Sequence, residues 1–119
     1  MSLAALVEDQ ITDYPRVHRT RANLAIHVVA IPLVWLGTAA VLAGIAGRPA
    51  LAAGGVAAVA SSVVLQGIGH RREPERPKPF SGAGNFATRL LTESFFVFPR
   101  YMLSGGWQSA WRNAQTEAR

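Results

Sequence analysis

The polar positions of this chain leave two long gaps. Residues 22–47 hold no Asp, Glu, Lys or Arg over 26 positions, and residues 49–69 hold none over a further 21. Only Arg48 stands between them. A helix of about 20 residues crosses a hydrocarbon core of roughly 30 Å, so each gap is long enough for a transmembrane helix. Gly47-Arg48-Pro49 reads as the turn that joins them. The pattern predicts an all-α fold: an integral membrane helical hairpin with spans at residues 22–46 and 50–70. The competing reading is a buried hairpin inside a soluble domain. Against it, 119 residues offer little polar surface to wrap two uninterrupted apolar helices.

The flanking segments carry different periods. Residues 1–13 suit a short amphipathic helix, with Leu3, Leu6 and Val7 on one side and Glu8 and Asp9 toward water. Pro15 is expected to break it. The first span should begin within residues 19–23. Pro32 interrupts it and leaves the Val28 carbonyl without its usual donor. In the second span Gly54, Ala58, Ser62, Gln66 and His70 follow at steps of four, and Ala40 and Gly44 stand opposite near the turn. Small residues on both helices allow close packing in lipid, and Gly67 and Gly69 would extend it. Residues 71–84 are broken by Pro74, Pro77, Pro79, Gly82 and Gly84. Residues 86–103 are helical in pattern, but Arg89, Glu93 and Arg100 rule out a third span. Their aromatic content, with Phe95, Phe96, Phe98 and Tyr101, predicts an interfacial helix that Pro99 ends or bends. Residues 109–119 form a polar tail. The whole is expected to be a single membrane domain, residues 1–119.

Charge orients the hairpin. The net charge is +5, with Arg16, Arg19 and Arg21 before the first span and Arg71, Arg72, Arg76 and Lys78 after the second. The positive-inside rule then predicts both termini in the cytoplasm and the turn outside. A signal peptide does not fit, because the first 21 residues carry Glu8, Asp9, Asp13, Arg16, Arg19 and Arg21 and no short apolar run. Nucleic-acid binding does not fit either, since the arginines flank membrane segments without an aromatic–basic groove pattern. With no cysteine in the chain, any metal must be held by nitrogen and oxygen.

The candidate chemistry lies at the cytoplasmic rim. His18, His27 and His70 are the only histidines. An antiparallel hairpin brings His27 and His70 to one membrane face, and an ionisable residue within a span is a functional candidate. On one continuous helix His18 and His27, nine residues apart, would face opposite ways, so His18 joins them only if the chain bends before Asn23. Asn23 precedes His27 by one turn, and Gln66 precedes His70 likewise. Either amide can orient an imidazole or a bound water, or simply clamp the helices. Tyr14 can reach the same rim. Glu73, Glu75 or Glu93 can complete a site with histidines for ferrous iron. Arg71 and Arg72, with Arg76, can bind the carboxylate of a fatty acid or sit among lipid headgroups.

Tyr14-x3-His18-x4-Asn23-x3-His27-x4-Pro32, followed by Gln66-x-x-Gly69-His70, resembles the family of membrane-bound 2-hydroxy fatty acid dioxygenases. That family includes a fungal enzyme of phytosphingosine α-oxidation. Pro79-Phe80, Asn85, Arg89, Glu93, Phe98-Pro99-Arg100 and Ser104-Gly105-Gly106-Trp107 are similar to its bacterial members, so the likeness runs from Tyr14 to Trp107. It implies an Fe2+ enzyme in a bacterial inner membrane. Such an enzyme would use O2 to remove one carbon from a 2-hydroxy fatty acyl substrate, with His18, His27 and His70 as ligands. Two positions depart from the pattern. Ala30 stands where the family often has glycine, and Pro74 where it has glutamate, with Glu73 and Glu75 on either side. The residues themselves leave two other readings open. One is haem held between His27 and His70, which would call for a homo-oligomer to enclose the macrocycle. The other is a non-enzymatic membrane hairpin.

Overall fold

The computed structural model describes residues 2–114, and they contain helices and no strand. The order is α1 (Leu3–Val17), α2 (Arg21–Ile45), α3 (Pro49–Arg71), α4 (Ala83–Thr92), a π-helical turn (Glu93–Val97), α5 (Phe98–Leu103) and α6 (Gly106–Arg112). The last residues of the expected polar tail, 115–119, lie outside the described residues.

Helices α2 and α3 form the hairpin, and both are long and apolar enough to cross a membrane. The turn between them uses Gly47 at φ +127°, a conformation open to glycine, and Pro49 enters α3 in its first turn, where no N–H is needed. Large side chains point away from the protein: Leu36 is 69% exposed, Leu42 67% and Val64 63%. Small ones fill the interface. A Cβ on Gly37 would stand 2.7 Å from the Gly55 carbonyl oxygen, and one on Gly44 would run into Ala52. A helix with its bulk outside and its glycines inside suits a lipid surround, where packing rather than burial of large groups holds helices together.

The interface runs along Ala52, Gly55, Val59, Ser62, Gln66 and Gly69. Gly54, expected there, faces open space, and so does Gly67. Steps of four drift by about 40° each, so the row from Gly54 to His70 winds away from the partner helix. Alternating steps of three and four hold one face, and they select Gly55 and Gly69.

The remaining elements make a cap over the open end of the hairpin. Its core is a cluster of Tyr14, Leu24, Ile31, Val97, Phe98 and Tyr101, with Val7, Ile11 and Trp107 packed against it. Here burial of large side chains does the stabilising. Trp107 donates its indole N–H to the Leu24 carbonyl, which ties α6 to α2.

Two expected breaks fall elsewhere. Pro15 lies inside α1 and does not end it. Only the Ile11 carbonyl loses a donor so close to the helix end, while Ile11, Tyr14 and Val17 on either side remain packed in the cap. The break comes at His18–Thr20, between α1 and α2. The helix expected over residues 86–103 begins at Ala83 and continues past Pro99 to Leu103 by changing register. The Phe98 N–H bonds the Glu93 carbonyl, five residues back, and Pro99 has no N–H for the Ser94 carbonyl. The Trp35 indole of α2 donates there instead, at 2.6 Å.

Candidate metal centre

The interruption between α1 and α2 brings His18 to its neighbours. Thr20 caps α2, its hydroxyl accepting from the Asn23 N–H at 3.3 Å. The buried Glu73, just beyond α3, reaches across to this corner. Its carboxylate accepts from the Arg19 N–H at 2.7 Å, the Thr20 N–H at 3.0 Å, the Thr20 hydroxyl at 2.8 Å and the Asn23 side-chain amide at 3.0 Å. A carboxylate placed over the N-terminus of α2 also complements the helix dipole. Glu73 therefore fixes the bend that His18 needs.

The three imidazoles meet edge to face. Ring centroids lie 4.6 Å apart for His18 and His27, 4.8 Å for His18 and His70, and 5.1 Å for His27 and His70. One nitrogen from each lies within 4.8 Å of the others. His18 and His27 are buried, and His70 is partly so. His18 Nδ1 bonds the Tyr14 carbonyl at 2.8 Å, and His27 Nδ1 bonds the Asn23 carbonyl at 2.9 Å. With the Nδ1 protons committed to carbonyls, the Nε2 atoms carry lone pairs, and these stand 3.3 Å apart. His70 Nδ1 is buried and has no hydrogen-bond partner.

Glu93 closes the group. Its Oε2 lies 3.6 Å from His18 Nε2 and 3.4 Å from His27 Nε2, and it accepts from the Tyr14 hydroxyl at 2.8 Å. Glu93 opens the π-helical turn, a feature often found at functional sites. Burial pushes the His18 imidazole down toward its neutral form, against the pull of the carboxylate. Burial raises the Glu93 carboxyl, and it is a proton at the His18 or His27 Nε2 facing it that holds it well below its ordinary range, so the anion at Glu93 depends on a cation or donor at those nitrogens. Burial and the neighbouring Glu93 together raise the Tyr14 phenol. The cluster thus gathers lone pairs and a negative charge with few protons between them. A proton or a metal ion is what such a group lacks.

The other expected residues take different places. Tyr14 reaches the rim and stacks on His18 with ring centroids 3.8 Å apart. The Asn23 side-chain amide donates to Glu73 and the Val17 carbonyl, so it is the Asn23 backbone that orients His27. Gln66 donates to the Ser62 hydroxyl at 3.0 Å, and Ser62 donates to the Ala30 carbonyl at 2.6 Å. The amide pairs are clamps within and between helices. Of the three carboxylates, Glu73 braces the bend, Glu75 pairs with Arg16, and Glu93 faces the histidines. Nothing in the residue types separates these roles. The one hint for Glu93 is Pro99, six residues on, which opens the helix to a change of register.

A cavity of about 430 Å³ adjoins the centre, bounded by α1, α3, the segment 77–81 and α4. His18, His70, Glu93 and Gln66 line it. Arg71 and Arg72, the expected carboxylate-binding pair, are exposed and do not line it. Arg71 is the last residue of α3 and Arg72 its C-cap. The cations along the wall are Arg16, Lys78 and Arg89.

A haem between His27 and His70 is difficult to reconcile with this packing, because His18 stands against both rings. Comparison with family models, with curated proteins and with solved structures finds no match to this chain.

Proposed function

We propose that this chain is a membrane-embedded dioxygenase that uses ferrous iron to shorten 2-hydroxy fatty acids by one carbon, with both termini and the cap on the cytoplasmic side of a bacterial inner membrane. One observation carries the reading. Three imidazoles and a carboxylate converge in a buried pocket, with two Nε2 lone pairs 3.3 Å apart and the buried His70 Nδ1 unpartnered. The donor set fits ferrous iron, which takes imidazole nitrogen and carboxylate oxygen. His18, His27 and His70 would hold it, with Glu93 as the oxygen donor. When bound, the metal supplies the site at which O2 and the 2-hydroxy acid are brought together. Overall, O2 takes up the electrons released as carbon 1 leaves as carbon dioxide and carbon 2 becomes the new carboxyl group. Water is the other product, so the stoichiometry closes without a separate reductant.

The chain's own residues prepare this site. The Tyr14 and Asn23 carbonyls select the tautomer in which Nε2 is free on His18 and His27. The Tyr14 hydroxyl holds Oε2 of Glu93. The buried Phe98, with its ring centroid 6.4 Å from that of His27, helps keep bulk water from the protein side of the centre. The positively charged rim favours the cytoplasmic orientation. The test is oxygen uptake by the detergent-purified, iron-loaded protein with 2-hydroxyhexadecanoic acid. The expected result is pentadecanoic acid formed in step with oxygen consumed. Iron-loaded protein that consumes no oxygen with any 2-hydroxy acyl chain contradicts the proposal.

A further inference from the structure

We infer that the cavity beside the histidines is an amphiphile site in which Arg89 binds the acid group and the side toward Val63 and Gly67 takes the acyl tail. This rests on the substrate class proposed above and moves acid recognition away from Arg71 and Arg72. The cations along the wall differ in their partners. Arg16 pairs with Asp13 and Glu75, and Lys78 pairs with Asp9 at 3.3 Å and Asp13 at 3.4 Å. Arg89 has no ion pair among the described residues. It donates to the Pro79 carbonyl at 3.2 Å, and its guanidinium carbon lies 4.2 Å from the centre of the Phe80 ring. These contacts orient the fork without neutralising it. Partial burial lowers the Arg89 pKa even with Glu93 and Asp13 nearby, so its charge is incompletely solvated.

Position supports the assignment. Arg89 is one helical turn before Glu93, and both line the same cavity. An acid held there shares one cavity with His18 and His70. The opposite requirement is a path for an apolar chain. Leu6, Val17, Val63, Phe86 and Leu90 line the cavity. Gly67 lines it too, and a Cβ there would meet no atom within 4 Å. Gly67 is exposed on α3, one of the helices long enough to span a membrane, so the cavity opens toward lipid.

The experiment measures binding rather than turnover, on full-length protein in detergent. The probes are 2-hydroxyhexadecanoic acid and its neutral counterpart hexadecane-1,2-diol. Arg89→Gln is expected to weaken the acid roughly tenfold or more and to leave the diol unchanged, because only the acid loses a charge-assisted partner. Arg89→Lys should recover part of the loss, and Lys78→Gln should cost little. If Arg89 only tethers the segment 77–81, Arg89→Gln weakens both probes alike, and the inference is overturned. Gly67→Leu provides a separate check. It should weaken the hexadecanoid acid more than 2-hydroxyoctanoic acid, and equal affinities before and after substitution overturn the tail path. Iron is measured in every sample. Protein that takes up no iron on anaerobic loading yet still binds the acid through Arg89 defeats the proposed activity and leaves this site standing. Iron-loaded, active protein whose Arg89→Gln variant binds the acid as tightly as the wild type defeats the site alone.

Discussion

Glu73→Gln isolates the brace that positions His18. The wild-type carboxylate accepts four hydrogen bonds, three of them at Oε2, from the Thr20 N–H, the Thr20 hydroxyl and the Asn23 amide. Glutamine keeps one acceptor oxygen and turns an NH2 group toward donors. With its oxygen in the Oε2 position, glutamine keeps the Thr20 and Asn23 donors on a neutral acceptor, and the Arg19 N–H faces the NH2 group and loses its acceptor. Bonds to a charged acceptor contribute about 1.5–3 kcal/mol each, and a buried donor left unpaired costs about 1–3 kcal/mol. One donor left unpaired and three bonds changed from a charged to a neutral acceptor give an expected net loss of about 2–4 kcal/mol. The loss falls on the corner that carries His18, so metal affinity should drop by tenfold or more as stability falls. Glu75→Gln is the control, because its pair with Arg16 is partly exposed and such pairs contribute about 0–1 kcal/mol. The assays are thermal unfolding in detergent and iron titration of the two variants. If Glu73→Gln matches Glu75→Gln in both, the brace is not what holds the bend.

Other consequences follow from the same geometry. Gly37→Leu should disrupt the hairpin, since even a Cβ there meets the Gly55 carbonyl and Val59, whereas Gly54→Leu should be tolerated in open space; yield and unfolding temperature in detergent compare them. Trp35→Phe removes the donor to the Ser94 carbonyl and should cost about 1–2 kcal/mol, with faster amide exchange across residues 93–98. Tyr14→Phe frees Oε2 of Glu93 while keeping the ring stack on His18; metal should still bind, at an affinity about tenfold lower. Chelation of the metal should lower the unfolding temperature of the wild type and leave that of a His18→Ala, His27→Ala, His70→Ala triple variant unmoved.

The larger features were legible in the sequence because they follow from one-dimensional properties. Charge-free runs measure out α2 and α3, and the half-turn mismatch between His18 and His27 demands the bend that the structure has at residues 18–20. What was hidden depends on where side chains go after the chain folds. Glu73, Glu75 and Glu93 are alike in type, and only the bend, the Arg16 pair and the π-helical turn separate them. The amides of Asn23 and Gln66 sit one turn before histidines, yet nearer partners claim them: Glu73 for one and Ser62 for the other. Arg71 and Arg72 follow His70 directly in sequence, yet both are exposed and neither lines the cavity. Arg89, nineteen positions after His70, returns to the cavity because α4 folds back across α1. Gly54 and Gly55 are neighbours that differ by a rotation of about 100°, which is enough to place one in the interface and the other outside.

The central claim is that His18, His27 and His70 hold one metal ion, and metal analysis of the purified protein with its single histidine variants tests it most directly. Elemental analysis should find about one iron per chain after anaerobic loading with ferrous iron and removal of the excess. His18→Ala, His27→Ala and His70→Ala should each lose most of it while remaining folded by far-UV circular dichroism. Wild-type protein that retains no metal, or folded variants that all retain the wild-type amount, would contradict the account.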